Sequence, residues 1–294
     1  MASLKDIRKR IGSVKSTRQI TRAMKMVAAA KLRRSQEAIL SSRPYAYRIY
    51  SVLLSLVKTA GVEHPLLTER PEKRIRLIVI AGERGLCGSF NTNILKRAQE
   101  FQKQKVKEGA EVMVEAVGKK AADFFRKRGG IAKQYDDLLG QPSYLRCAEV
   151  AQKVVRVVAE GEADAIYVAY NEFKSAIQQR PIVERLVPIS TDIPDGVVGI
   201  FESRETDRLK QYIFEPKIAE LLEQLIPRHF STQFFRAVLE SVASEHGARM
   251  SAMENATKNA SEMIEGLTLE YNKARQASIT KELMEIVGGV EAMR

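Results

Sequence analysis

The stretch running from residue 248 to residue 290, ARMSAMENATKNASEMIEGLTLEYNKARQASITKELMEIVGGV, decides the fold of this chain. Within it Met253, Ala256, Ala260, Met263, Leu267, Tyr271 and Ala274 recur at spacings of three or four, the stripe that a left-handed coiled coil requires. Ile279, Leu283, Ile286 and Val290 carry a stripe on to the tip. Arg228 to Val287 holds no proline, and Gly247 and Gly266 are its interior glycines. As helix those residues would extend about 90 Å, and the proline-free first stretch of the chain about 65 Å, at roughly 1.5 Å per residue. Neither fits inside a globular domain of this size. No run approaches the roughly 20 consecutive apolar residues of a membrane span, so the two ends are expected to pair as a long antiparallel coiled coil. Alanine in the seam lets the partner helix approach closely.

At 294 residues the chain can hold one or two domains. Its aromatic content of 6%, without tryptophan, suits helices packed by alanine, methionine and leucine rather than an aromatic core. Cys87 and Cys147 lack metal or redox spacing, so free thiols in a reducing compartment are expected. The net charge of +12 is concentrated in the first helix, where residues 1–34 carry eleven Lys or Arg against the single Asp6. Such a field calls for an acidic partner, a nucleic acid or an anionic surface. An Arg-rich, acid-poor start also raises a transit peptide, but Ile7, Ile11 and Val14 run at helical spacing into the same helix, so the segment reads as mature protein.

The middle alternates short apolar runs with helical stretches. Ile75–Ala81 is a β-branched buried strand, followed by a helix from Asn91 to Lys107, a strand Glu111–Val117, a helix Lys119–Arg128, a strand Ile131–Tyr135, a helix Tyr144–Ala159, and strands Ala165–Tyr170 and Ile182–Ile189. The alternation predicts a Rossmann-like α/β domain with a mostly parallel sheet, its last strand antiparallel after a short polar link. Pro44, Gly61 with Pro65, and Pro71 are expected to break the chain on its way into this domain, and Pro194, Gly196, Pro216 and Pro227 on the way out. The expected divisions are 1–60, 61–208 and 209–294.

The turn GERGLCGSFN at 82–91 is the most enzyme-like signal. A glycine turn between strand and helix can cradle phosphate. Its spacing of three and three matches neither the dinucleotide nor the mononucleotide pattern, and no acid closes the second strand, where Val117-Gly118-Lys119 stands. The other reading, a tight turn with Ser89 or Asn91 capping the following helix, fits better. Cys87 could be an activated thiol, yet His64, His229 and His246 are not placed by sequence to serve as its base, and a small packing residue is the simpler account. No carboxylate pair or His/Cys cluster has metal or acid/base spacing, so no catalytic, cofactor or metal residue is assigned. Residues 23–34, AMKMVAAAKLRR, set apolar side chains around nearly the whole helix, which points to a helix enclosed on several sides.

Read together, AMKMVAAAKLRRSQ (23–36), RGLCGSFN (84–91), ARMSAMENATKNASEMI (248–264) and LEYNKARQASITKELMEIVGG (269–289) resemble the gamma subunits of the F-type ATP synthase, end to end. Gly289-Val290 stands where that family's terminal signature usually has Gly-Ala. The resemblance implies a non-catalytic rotor shaft without cofactor, one copy per complex, its tip inside the ring of alpha and beta subunits and its foot on the membrane c-ring, with the epsilon subunit as a further partner. It implies a peripheral position on the cytoplasmic face of a bacterial plasma membrane, with no direct insertion. It places Met24, Lys25, Arg249 and Met253 against the moving parts of the catalytic subunits, Arg275, Gln276 and Thr280 against polar catch loops, and Tyr212 and Glu215 near the membrane ring. Two other classes stay open: a nucleic-acid binder using the basic helix, which interleaved aromatics between Met1 and Pro44 would have favoured and which the acids of the C-terminal helix oppose, and an α/β enzyme using the Gly82–Gly88 turn.

Overall fold

The computed structural model describes residues 4–60, 64, 66–189 and 217–292. Two compact units are present, one of residues 1–29 with 249–294 and one of residues 30–248. The elements are α1 (Leu4–Ala60), β1 (Arg74–Ile80), α2 (Phe90–Lys107), β2 (Glu111–Val117), α3 (Lys119–Arg126), β3 (Lys133–Tyr135), α4 (Tyr144–Ala159), β4 (Ala165–Phe173), β5 (Gln179–Val187) and α5 (Ile218–Ala292).

In the first unit α1 and α5 run antiparallel. Two contacts fix the register: the Thr21 and Thr257 hydroxyls lie 2.8 Å apart, and Lys25 Nζ lies 2.6 Å from Glu254 Oε1. The seam is covered as the spacing requires, with Ile7, Thr21 and Ala28 buried on α1 and Met253, Ala260 and Ile264 buried on α5. Met263 was expected in this seam, but it is 54% exposed and Ile264 takes its place. Stepping four and then three from Ala260 leads through Ile264 to Leu267, so Met263 falls on the flank. Both helices rise equally per residue, so the Thr21–Thr257 register sets Leu4 opposite about Ala274. Ile279, Leu283 and Ile286 accordingly have no facing residues of α1 beyond Leu4, and all three are exposed; the side chain of Val290 lies outside the described residues.

The second unit is a three-layer α/β/α sandwich on a five-stranded sheet of order β3-β2-β1-β4-β5. β1 pairs in parallel with β2 and β4, β2 with β3, and β5 closes the edge antiparallel to β4. Because successive side chains of a strand alternate faces, Ile75, Leu77 and Val79 of β1 meet Ile94, Leu95 and Ala98 of α2 and Phe125 of α3, while Ile78 and Ile80 meet the opposite layer. That opposite layer is α4 with Leu53 and Leu56 of α1 and Leu222, Phe230, Phe234 and Val238 of α5. Right-handed crossovers explain the split. The chain steps outward from β1 to β3 over α2 and α3, then returns over α4 to the other side of β1.

Helix α3 ends at Arg126 and β3 begins at Lys133, each two residues inside its expected limit. Two expected breaks do not occur, since α1 runs through Pro44 and α5 through Pro227. Proline costs an interior helix a hydrogen bond and a clash of about 3 kcal/mol. Here the flanking turns are held by burial, with Ile39 and Ile49 on either side of Pro44 and Ile226 and Phe230 around Pro227. Gly61, Pro65, Pro194, Gly196 and Pro216 lie outside the described residues.

A charged cluster fastens α5 to the sheet. Arg236 Nη2 donates to both oxygens of Glu184 on β5, at 2.7 and 2.8 Å, and the Tyr170 hydroxyl on β4 donates to Glu184 Oε2 at 2.7 Å. Both side chains of the Arg236–Glu184 pair are about one-fifth exposed, so their attraction is only partly screened. Replacing Arg236 by Met should destabilise the chain by about 2 kcal/mol, below the 3–5 kcal/mol of a fully buried orphaned charge. The double change Arg236→Met with Glu184→Leu should recover only part of that loss in a urea titration, because it leaves the buried Tyr170 hydroxyl without its acceptor.

Candidate partner-contact surface

The glycine turn is where a doubly wound sheet of this order would hold a ligand, at the carboxyl ends of the strands beside the switch between β1 and β4. Here the chain fills it. Asn91 Oδ1 accepts from Gly82 N at 2.8 Å, and Asn91 Nδ2 reaches Arg84 O at 3.3 Å and Cys87 Sγ at 3.2 Å. Asn91 therefore ties the turn to itself, and Ser89 occupies the helix cap without a side-chain capping bond, so neither residue caps α2 in the expected way. Gly118 stands at φ +88, and a Cβ there would lie 2.1 Å from Ala81 O, so the close approach of the second loop to the first demands glycine.

Helix α5 covers what remains of this crevice. Ser244 Oγ donates to Asn171 O at 3.0 Å, Gly247 abuts the backbone of Ala176, and the Glu245 carboxylate lies against Gly82. With Glu83 accepting from Lys119 N at 3.3 Å, two carboxylates border the turn and oppose a phosphate. Cys87 is buried with Phe90 and Ala248 as a packing residue. Cys147 is fully buried in the core, which pushes its thiol up to about 12 and leaves it unreactive at neutral pH. Among the described residues no group of three potential metal ligands is found, and no helix is long and apolar enough to cross a membrane.

The surface that the core leaves unexplained lies on the paired helices. On α1, Met26 and Val27 are 62% and 57% exposed, off the stripe that faces α5, and Arg8, Lys9, Arg10, Lys15 and Arg22 are exposed with them. On α5, Met263, Leu269, Ile279, Leu283, Met284 and Ile286 are exposed. Monomers rarely expose this much apolar surface along one element unless another surface covers it. Within residues 23–29, Ala28 is seated in the seam while Met26 and Val27 stay open.

The anticipated contact residues separate into three groups. Met24 and Lys25 are half-buried, and Lys25 pairs with Glu254. The register sets them beside Met253, which is buried in the seam, while Arg249, half-buried and engaged by the chain itself, lies one turn away. Arg275, Gln276 and Thr280 are exposed roughly 30 Å further along α5. Tyr212 and Glu215 lie outside the described residues. Sequence reasoning did not single out Met26, Val27, Leu269 and Met284, which the structure leaves as exposed apolar side chains. The available signal was an apolar side chain off the seam spacing.

Known proteins agree with this arrangement. A family model described as ATP synthase matches residues 3–293. The ATP synthase gamma chain of Geobacter metallireducens is 48% identical over 295 residues, and that of Pelotomaculum thermopropionicum 47% identical over 296, each alignment covering 100% of both chains. Among solved structures, a chain of the Euglena gracilis mitochondrial ATP synthase described with OSCP, F1 and c-ring superposes with a TM-score of 0.66 at 21% identity, over 99% of this chain and 94% of that one. A rotor chain of the same organism's enzyme gives 0.61 at 20% identity, over 94% and 98%. Likeness at such identity concerns the fold. The full-length identity of nearly one half with the bacterial gamma chains, together with the family match, settles kinship: this chain belongs to the ATP synthase gamma chain family.

Proposed function

We infer that this gamma chain is the central-stalk rotor of an F-type ATP synthase, passing torque between a proton-driven membrane ring and the catalytic nucleotide-binding subunits. The observation that supports this most is the apolar surface left open on two helices already paired with each other. The chain itself carries no catalysis on this reading, because the glycine turn after β1 is filled by Asn91 and bordered by carboxylates. Residues 1–60 and 209–294 serve the shaft and 61–208 the foot. The complex sits at the cytoplasmic face of a bacterial plasma membrane, with alpha, beta and epsilon subunits and the c-ring as partners.

The physics follows from differential contact. A ligand shifts a conformational equilibrium only by as much as it binds two states differently, and a shaft that is not symmetric about its axis meets each of three identical catalytic subunits with different residues. Met26 and Val27 sit on one side of the pair near Lys25, whereas Met263 and Leu269 belong to the other helix. As the shaft turns, the subunit facing each group changes, and so does the state each subunit prefers. The exposed cations of α1 fit this duty. Screened surface attractions are worth about 1 kcal/mol or less each and form and break readily, so they steer without trapping the rotor at one angle. Met24, Lys25, Arg249 and Met253 act at the lower level, and Arg275, Gln276 and Thr280 with the exposed Leu283 and Ile286 at the upper one; Tyr212 and Glu215 are assigned to the ring.

Changing exposed Leu283 and Ile286 together to Asp should leave the unfolding free energy of the isolated chain within about 0.5 kcal/mol. The same pair should lower coupled ATP synthesis of the reconstituted complex about fivefold or more, the weight of an interface residue worth over about 1 kcal/mol. Unchanged coupling would mean that no partner covers this surface. Met263→Pro removes an exposed side chain, so its effect on the stability of the isolated chain reports on the helix backbone; a loss of about 3 kcal/mol is expected, with failure to assemble. Co-purification of the chain with nucleotide-binding subunits checks the assembly itself.

A further inference from the structure

The start of α5 combines weakened helix bonding with a histidine shut away from water. Pro227 lies inside the helix and has no N–H to give to the preceding turn. Just beyond it, the Ser231 hydroxyl donates to Pro227 O and the Thr232 hydroxyl to Arg228 O, both at 2.8 Å. Such bonds back to the preceding turn slightly destabilise and often bend a helix. Within this stretch His229 is 4% exposed, its ring stacked on Tyr50 of α1 with centroids 5.3 Å apart and planes 26° from parallel. Its Nδ1 is buried and has no hydrogen-bond partner.

The charged and titratable groups that bear on this imidazole are few. Tyr50 faces it from α1, and Arg236 acts on it from two turns further along α5. The carboxylates beyond, Glu184 and Glu240, are already engaged by Arg236 at 2.7 and 3.7 Å. A proton on His229 would thus place a second cation beside Arg236 with no anion of its own to meet it among the described residues, in a site closed to solvent.

From this geometry we propose that residues 221–236 form an acid-sensitive joint: a proton taken up by His229 loosens the first turns of α5 from Tyr50 of α1. The proline, with the back-bonded hydroxyls beside it, lowers the helix bonding lost when this stretch opens, and the uncharged stack on Tyr50 holds it shut. Burial, and then the Arg236 charge, lower the imidazole from its ordinary 6.5 to about 4. A group so lowered stabilises the folded state fully above pH 6.5, and its contribution falls as pH drops toward 4. Within that window opening should rise about tenfold per pH unit for the one proton involved. Met253 to Leu267 of the same helix, in the other unit, contains no histidine and provides an internal control.

Hydrogen exchange of the full chain, corrected for intrinsic rates, tests this together with NMR titration of the imidazole resonances. Only His64, His229 and His246 contribute, so His229→Gln assigns the signal. The expected result is acid-enhanced exchange in residues 221–236 but not in 253–267, abolished in His229→Phe, which keeps a flat ring without the proton. Equal acid response of residues 221–236 in wild type and His229→Phe would overturn the proposal. Should His229→Phe not fold, the wild-type ring decides. Protonation well below 6.5, concurrent with lost protection of residues 221–236, supports the joint, and protonation near 6.5 with protection intact refutes it.

Discussion

A helix of 57 residues and one of 75 cannot each bury an apolar stripe by itself, and their antiparallel seam is the constraint on which the rest of this molecule depends. Isolated helices draw most of their stability from packing, and here the packing between the chain ends is made from small groups. Ala28, Ala260 and the Thr21–Thr257 hydroxyl contact leave the two backbones close, and Met253, Ile7 and Ile264 supply the bulk. Such a seam is slim and directional. It also consumes only one side of each helix, which is why Met26, Val27 and Leu269 remain uncovered.

The sheet unit holds α5 in place. Its switch-point crevice, which in other doubly wound sheets accepts nucleotides, holds Asn91, Glu245 and Ser244 of the chain itself. The Gly82 N–H that could meet a phosphate is spent on Asn91 of α2, while Ser244 fixes α5 to β4. Arg236 and Glu184 add a second fixing point on β5. A rotor subunit needs such fastenings, since twist delivered to the sheet reaches α5 only through contacts that do not slip.

Much of this was legible in the sequence because it is periodic. The seam follows from spacings of three and four, the strands from β-branched runs, and the antiparallel last strand from the short polar link between Phe173 and Gln179. What was not legible depends on distant partners. Pro44 and Pro227 read as breaks, since propensity is local, whereas buried neighbours on both sides carry the helices through them. Met263 and Ile264 are adjacent and equally apolar, and only the register set by Thr21 and Thr257 decides which is buried. The roles of Asn91, Glu245 and Arg236 arise from contacts between residues far apart in the chain, which no local spacing encodes.

The pairing of the chain ends admits a direct measurement. Thr21→Cys with Thr257→Cys places two thiols where hydroxyls lie 2.8 Å apart, while Cys87 and Cys147 are buried and compete little for oxidant. Under mild oxidation of the native full-length chain, this pair should close rapidly and nearly completely into an intramolecular disulfide, whereas Thr21→Cys with Thr280→Cys should not. No cross-link in the first pair, or equal cross-linking in both, would contradict the antiparallel register and with it the shaft.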